Sequence, residues 1–306
     1  MANSIEDFSH LFLSSEKEKE AKKKAGGTTV ADRKSPQAPG LLNFFDLREN
    51  PFMDSVNTRY FYHSKNHEEI YQKMKMCVEQ NISLGLVAGQ SGVGKTLITQ
   101  MLLTNLDPDK YKTIVVLVSP GMTKSALLKE VLLELNLGHL IKTAAQTYDL
   151  IRILQDHVIS LYQTGKRLVI MIDEAHFLES SSLHILRTIS NIELPELKLV
   201  SILLFTEDVF LRRIRHESYN SLRNRMYIQE HLNPFSFQEM RNYVRFRITT
   251  AGGNPEKMFL EDTYQVIYTA TAGIAREVNN LCYNAIVEAF LQKTKTVTNK
   301  ILLKCL

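Results

Sequence analysis

The octapeptide Gly89-Gln90-Ser91-Gly92-Val93-Gly94-Lys95-Thr96 constrains this chain more than any other feature. It fits G-x-x-x-x-G-K-[ST], follows an apolar run, Leu84 to Ala88, and precedes a helical pattern from Lys95 to Leu106. Strand, glycine loop and helix in that order are the context in which this spacing cradles phosphate. The glycines let the backbone wrap so that N–H groups face phosphate oxygens, and the helix N-terminus adds positive potential. Lys95 is therefore expected to reach the β- and γ-phosphates of ATP, and Thr96 to ligate Mg2+. Gly89, Gln90, Ser91, Gly92, Val93, Gly94 and Leu97 complete the expected nucleotide-binding set, the Walker A loop.

A second motif supplies the carboxylates that such a loop needs for turnover. The run Leu168-Val169-Ile170-Met171-Ile172 reads as a buried strand and ends in Asp173-Glu174, a Walker B pattern. Ligands of parallel sheets bind at the carboxyl edge, so both acids are expected beside the loop. Asp173 would hold Mg2+ and Glu174 would polarise the attacking water. Asp173-Glu174-Ala175-His176 matches a helicase label in four residues, but the rest of a helicase's motif series is missing. His176 is accordingly read as coincidence, with contact to the catalytic centre as the alternative.

Around these motifs, strand and helix patterns alternate, which predicts a parallel sheet in an α/β sandwich. Five strands are expected, at Leu84 to Ala88, Thr113 to Val118, Arg167 to Ile172, Leu199 to Phe205 and Met226 to Gln229. After Pro234 only helical spacing remains, at Ser236 to Thr250, Glu261 to Thr271 and Ala275 to Phe290. The expected domains are a mobile arm over 1–40, a nucleotide-binding α/β domain over 41–232 and a small helical lid over 233–306. Within the arm, Phe8 to Leu13 could form a short docking helix. With 306 residues, 44% of them hydrophobic, the chain can bury a sizeable core.

Several function classes drop out on composition. The longest apolar stretches, residues 167–172 and 197–205, fall far short of the roughly 20 residues a membrane-spanning helix needs, and a cleaved secretion signal is not expected from Met1 to Ser9, which lacks the basic-then-apolar pattern. A cytoplasmic location is expected. Cys77, Cys282 and Cys305 are odd in number and widely spaced, which suits free thiols rather than a metal centre. A net charge of +4 permits contact with nucleic acid without requiring it.

Taken together the residues resemble a known family, the AAA+ ATPases of the general secretion pathway protein A (ExeA) type, which are related to the transposition regulators TnsC, TniB and MuB. The resemblance rests on Phe44-Phe45-Asp46-Leu47 and Asn50-Pro51-Phe52 ahead of the loop, and on the two nucleotide motifs. Leu232-Asn233-Pro234-Phe235-Ser236, Tyr243 to Ile248, Ala251-Gly252 and Gly273 to Cys282 extend it through the lid. It implies that Thr206, at the tip of the fourth strand, senses the γ-phosphate, although the family often has Gly-Gln there. It implies that Arg276, in Gly273-x-x-Arg276, senses nucleotide from the lid. It also implies a finger arginine given to a neighbouring subunit; Arg225 fits that position better than Arg223.

A shared finger makes a homo-oligomer, as a ring or filament, the expected state. Two roles follow from the resemblance. One is an ATPase that remodels or recruits a protein partner, as in secretion; the other is an ATP-gated, DNA-binding regulator that recruits a transposase. Secretion relatives often continue past the lid into a membrane span, whereas this chain stops at Leu306. The basic run Arg212, Arg213, Arg215, Arg223 and Arg225, with Arg241, Arg245 and Arg247 beyond it, could face DNA phosphates, but interleaved acids make a solvated or subunit-facing surface the better reading.

Overall fold

The strand segments read as continuous apolar runs because both faces of the sheet are covered. In the computed structural model, which describes residues 39–306 except 54, 143, 145 and 196, five parallel strands form the centre of the molecule. The expected arm lies, up to residue 38, outside the described residues, and so does its Phe8 to Leu13 segment.

In chain order the sheet strands are β1 (Leu84–Ala88), β2 (Tyr111–Leu117), β3 (Arg167–Asp173), β6 (Val200–Thr206) and β7 (Met226–His231). They lie side by side as β2-β3-β6-β1-β7. A two-stranded antiparallel hairpin, β4 (Glu193–Leu194) and β5 (Leu197–Lys198), sits ahead of β6. It escaped the sequence reading because two residues per strand are too few for a period-two pattern to register.

Successive side chains of a strand point to opposite faces, and the core divides accordingly. Leu84, Leu86, Leu168, Ile170, Ile172, Ile202 and Leu204 face α4 (Lys124–Glu134), α6 (Thr147–Gln163) and α7 (Ser180–Ile189). Val87, Val169, Met171, Leu203 and Phe205 face α2 (Lys65–Glu79) and α3 (Lys95–Asn105). Short helices α5 (Gly138–Ile141), α8 (Asp208–Ile214) and α9 (Asn220–Arg223) complete the three-layer sandwich. The outer strand β7 is half open, with Tyr227 77% exposed.

Beyond β7 the chain is helical: α10 (Phe237–Thr250), α11 (Pro255–Met258), α12 (Thr263–Thr271), α13 (Ala275–Leu291) and α14 (Asn299–Cys305). Ser236 starts α10 with a capping box, its hydroxyl accepting from Glu239 N while the Glu239 carboxylate accepts from Ser236 N. These helices enclose their own core of Met240, Tyr243, Val244, Ile248, Tyr264, Ile267, Leu281 and Ile286. Phe45, Leu47 and Phe52, which sequence order assigns to the nucleotide-binding part, belong to this helical core, and α1 (Pro39–Phe44) leads into it. Aromatic content marked the segment as buried, but nothing in it said against which layer.

One glycine fixes where the helices meet the sandwich. Gly273 has φ +76, and a Cβ there would lie 2.0 Å from the Phe235 carbonyl oxygen. Phe235 N donates to the Gly273 carbonyl at 2.9 Å. The backbones touch because no side chain separates them.

Candidate functional site

At the carboxyl end of β1 the chain turns into the glycine loop, and Lys95 opens α3 beneath it. The Lys95 side chain folds over the loop: its Nζ donates to the Gly89 and Gln90 carbonyls, each at 2.9 Å, and the residue is 5% exposed. Burial lowers its pKa, with Glu174 and Asp173 pulling the other way. A buried ammonium held only by carbonyl dipoles suits an anionic ligand, as phosphate oxygens would supply the charge it lacks. Gly92 has φ +80, and a Cβ there would lie 2.8 Å from that of Arg276, so the loop can take this course only as glycine.

His67 braces the loop from α2. It is 4% exposed; its Nε2 donates to the Val93 carbonyl at 2.9 Å and its Nδ1 accepts from Ser64 Oγ at 2.8 Å. Burial holds its pKa below the ordinary value, which favours the neutral ring. The His67 ring stacks on Phe235, with centroids 4.9 Å apart.

The register places β3 one strand away from β1, with β6 between them. Asp173 nevertheless reaches the start of α3, because Thr96 Oγ1 donates to its Oδ2 at 2.8 Å. Its other oxygen accepts from Glu174 N at 2.9 Å, and the residue is 3% exposed. A hydroxyl and a carboxylate converging beside a phosphate loop form a hard oxygen donor pair, which fits Mg2+. Glu174 adopts a left-handed conformation, φ 55 and ψ 35, a sparsely populated region for a non-glycine residue. That turn takes its side chain off the strand direction. Burial first, and then Asp173, raise its pKa, against the pull of Lys95 and His176. Thr206 ends β6 opposite Ala88; it is wholly buried, its hydroxyl donates to the Glu207 carbonyl at 3.3 Å, and its own carbonyl accepts from Gly89 N at 3.1 Å.

Arg276 comes from the first turn of α13. Its backbone N donates to the Gly92 carbonyl at 3.1 Å and its guanidinium to Ser91 Oγ at 3.2 Å. The loop, Glu174 and the C-terminal helices border an open cleft. Its further wall is Met53, Ser55, Val56, Asn57 and Tyr60, with Tyr243, Arg247 and Asn279 from the C-terminal helices. Sequence reasoning missed this wall. The signal available was the pairing of the Asn50-Pro51-Phe52 block with Tyr243 to Ile248, segments about 190 residues apart whose contact their positions do not encode.

Arg247 is what connects them. It is 6% exposed; its guanidinium donates to the Pro51 carbonyl, to the Met53 carbonyl at 3.4 Å and to Tyr243 Oη at 2.7 Å, and it lies 4.7 Å from the Tyr60 ring centroid. Neither expectation for Arg247, a solvated or subunit-facing surface or a face toward DNA phosphates, fits this residue, since it is buried and its donors are spent inside the protein. Arg241 makes two bonds to Glu261, and Arg245 pairs with Glu256. Arg213 donates to the His176 carbonyl at 3.2 Å, which ties α8 to the turn after Glu174.

Arg225 and Arg223 are not brought to this chain's own loop. Arg225 precedes β7 at the amino edge of the sheet, where Leu84 pairs with Met226, and the loop leaves the opposite edge. The 5 residues of β1 separate the two edges by roughly 17 Å. Arg225 donates to Asn191 Oδ1, and Arg223 to Asn220 Oδ1 at 2.7 Å and the Arg215 carbonyl at 3.3 Å.

A family model described as an AAA domain matches residues 78–214. General secretion pathway protein A of Aeromonas hydrophila is 30% identical over 257 residues, which is 84% of this chain and 46% of that protein. The chain thus spans about half the length of that relative. Among solved structures, CDC6p from Pyrobaculum aerophilum superposes with TM-score 0.64 at 15% identity, covering 83% of this chain and 69% of that one. The Aeropyrum pernix ORC2 protein with ADPNP and ADP gives TM-score 0.62 at 14% identity, covering 81% and 70%. The Aeropyrum pernix ORC1 protein in complex with DNA gives 0.63 at 19%, covering 85% and 68%. Sheet and helical region alike have counterparts in this fold.

Proposed function

Since its AAA domain makes this chain a member of the AAA+ ATPases, similar to general secretion pathway protein A, we propose that it binds ATP in the cleft between loop and lid and hydrolyses it to ADP and phosphate. One observation carries the reading: Lys95 and Thr96 from α3, Asp173 and Glu174 from the end of β3 and the turn after it, and Arg276 from α13 come together around one loop. Loop N–H groups and Lys95 hold the phosphates, and Thr96 with Asp173 holds the metal. Bound Mg2+ supplies charge withdrawal from the β- and γ-phosphate oxygens. Glu174 takes the proton of the attacking water, and its raised pKa improves its match to that task near neutrality. Arg276 couples the lid to the nucleotide through Ser91 and Gly92. Thr206 stands at the β6 tip as the γ-phosphate sensor. Arg225 serves the site of a neighbouring copy, consistent with its position far from its own loop.

In this reading the nucleotide cycle changes contacts between copies and so acts on a protein partner, as the similarity to the secretion protein supports. The second reading, an ATP-gated DNA-binding regulator, draws on a fold shared with a protein solved in complex with DNA. No helix among the described residues is long and apolar enough to cross a membrane.

Phosphate release and ATP binding by calorimetry test the first step. Lys95→Ala should weaken ATP binding by about 3 kcal/mol, roughly a hundredfold, because two charge-assisted contacts are lost. Wild-type affinity in that variant would sink the proposal. ATP-dependent retention of the chain on duplex DNA would favour the second reading over the first.

A further inference from the structure

The turn that follows Glu174 carries a side chain that the ATPase reading does not use. The His176 side chain is 9% exposed, and its Nδ1 is buried with no hydrogen-bond partner. That nitrogen lies 3.4 Å from Glu174 Oε2, in contact but outside hydrogen-bond geometry. Glu207, at the N-terminus of α8, brings a third donor: one ligand atom from each of Glu174, His176 and Glu207 lies within 4.8 Å of the others. Arg213 fixes the turn by donating to the His176 carbonyl, and Thr206 bonds the Glu207 carbonyl, so neither donor sits on a free loop.

We propose that Glu174, His176 and Glu207 form a site for a transition-metal dication, Zn2+ in the first instance, separate from the Thr96–Asp173 pair. A buried imidazole nitrogen without a partner carries an uncompensated desolvation cost, and a metal ion meets that need directly. The 3.4 Å between nitrogen and carboxylate oxygen is close to the spacing of two ligands about 2.0–2.1 Å from a tetrahedral zinc. Two carboxylates with one imidazole suit Zn2+, Co2+ or Mn2+, and the imidazole discriminates against Mg2+. Glu174 and Glu207 repel each other across the gap, which a cation relieves. Three protein ligands leave a fourth position for water. The consequence is regulatory and rests on the proposed hydrolysis: a metal held here takes the lone pairs of Glu174 and arrests turnover while ATP still binds.

The site itself is testable without nucleotide. ZnCl2 is titrated calorimetrically into the full chain with millimolar Mg2+ present, using wild type, His176→Ala, Glu207→Gln and a surface control, His139→Ala. One Zn2+ per chain is expected for wild type and His139→Ala, with affinity at least tenfold weaker in His176→Ala and in Glu207→Gln. Thermal melting identifies any variant that fails to fold, and the other then supplies the comparison. Unchanged Zn2+ affinity in His176→Ala, or loss of wild-type binding under excess Mg2+, overturns the assignment. In the second arm, Zn2+ lowers phosphate release by wild type but not by His176→Ala. Zinc that binds at His176 yet leaves turnover untouched overturns the regulatory half. Absence of turnover in zinc-free protein would instead count against the ATPase reading and leave the binding arm standing.

Discussion

Glu174 and His67 show two opposite uses of burial. Burial and the neighbouring Asp173 raise the Glu174 pKa, so the folded protein holds that proton more tightly than the unfolded chain does. Stability from this group is therefore present at low pH and is lost as pH rises through the folded value. Glu174→Gln removes the charge that causes the loss, and the variant should melt at a higher temperature than wild type near pH 8, with the gap closing near pH 4. It should also bind ATP without releasing phosphate; a lower melting point near pH 8 would contradict the argument. For His67 the sign reverses. Its folded pKa is depressed by burial, so below about 6.5 the unfolded chain binds a proton that the folded one does not. Stability is present above that value and falls as pH drops through it. Urea midpoints should decline from about pH 7.5 to about pH 5.5, and His67→Gln should flatten that decline.

At the scale of elements, the site depends on the helical region staying against the sandwich. Arg247 on α10 reaches the carbonyls of Pro51 and Met53, and Tyr243 beside it donates to Asn279 Oδ1 on α13 at 3.0 Å. Replacing Arg247 by Met keeps much of the packing but leaves the buried Pro51 carbonyl and the half-buried Met53 carbonyl unpaired, a cost of about 1–3 kcal/mol. Chemical denaturation should register that loss. ATP affinity should fall with it, because Met53 to Tyr60 form the far wall of the cleft. Unchanged affinity alongside reduced stability would mean that the wall does not touch nucleotide. The same elements show how far patterning reaches: β1, β3 and β6 were legible as continuous apolar runs, whereas the β4–β5 hairpin and the short α14 carry too few residues to show a period.

At the scale of the whole molecule the proposed finger arginine is tested by assembly. Arg225 lies at the amino edge of the sheet, so it can serve catalysis only in another copy. Arg225→Ala should leave ATP affinity of the isolated chain unchanged and remove roughly a thousandfold of the rate gained on assembly. Phosphate release measured against protein concentration separates the two, since only the assembled rate depends on a neighbour. A full assembled rate in the variant would move the finger to Arg223 or elsewhere.

What the sequence by itself determined was local and chemical: the glycine loop, the strand ending in Asp173-Glu174 and the alternation that makes a parallel sheet. These are set by spacing along the chain, because backbone wrapping and side-chain periodicity act over a few residues. Tertiary structure alone decided what distant segments do for one another. It placed β6 between β1 and β3, sent Phe45, Leu47 and Phe52 into the helical core, and buried Arg247 against Pro51. It also set the unpartnered nitrogen of His176 against Glu174. Whether a charged side chain meets solvent, a carbonyl or another charge depends on which layers pack together, and spacing along the chain does not encode that.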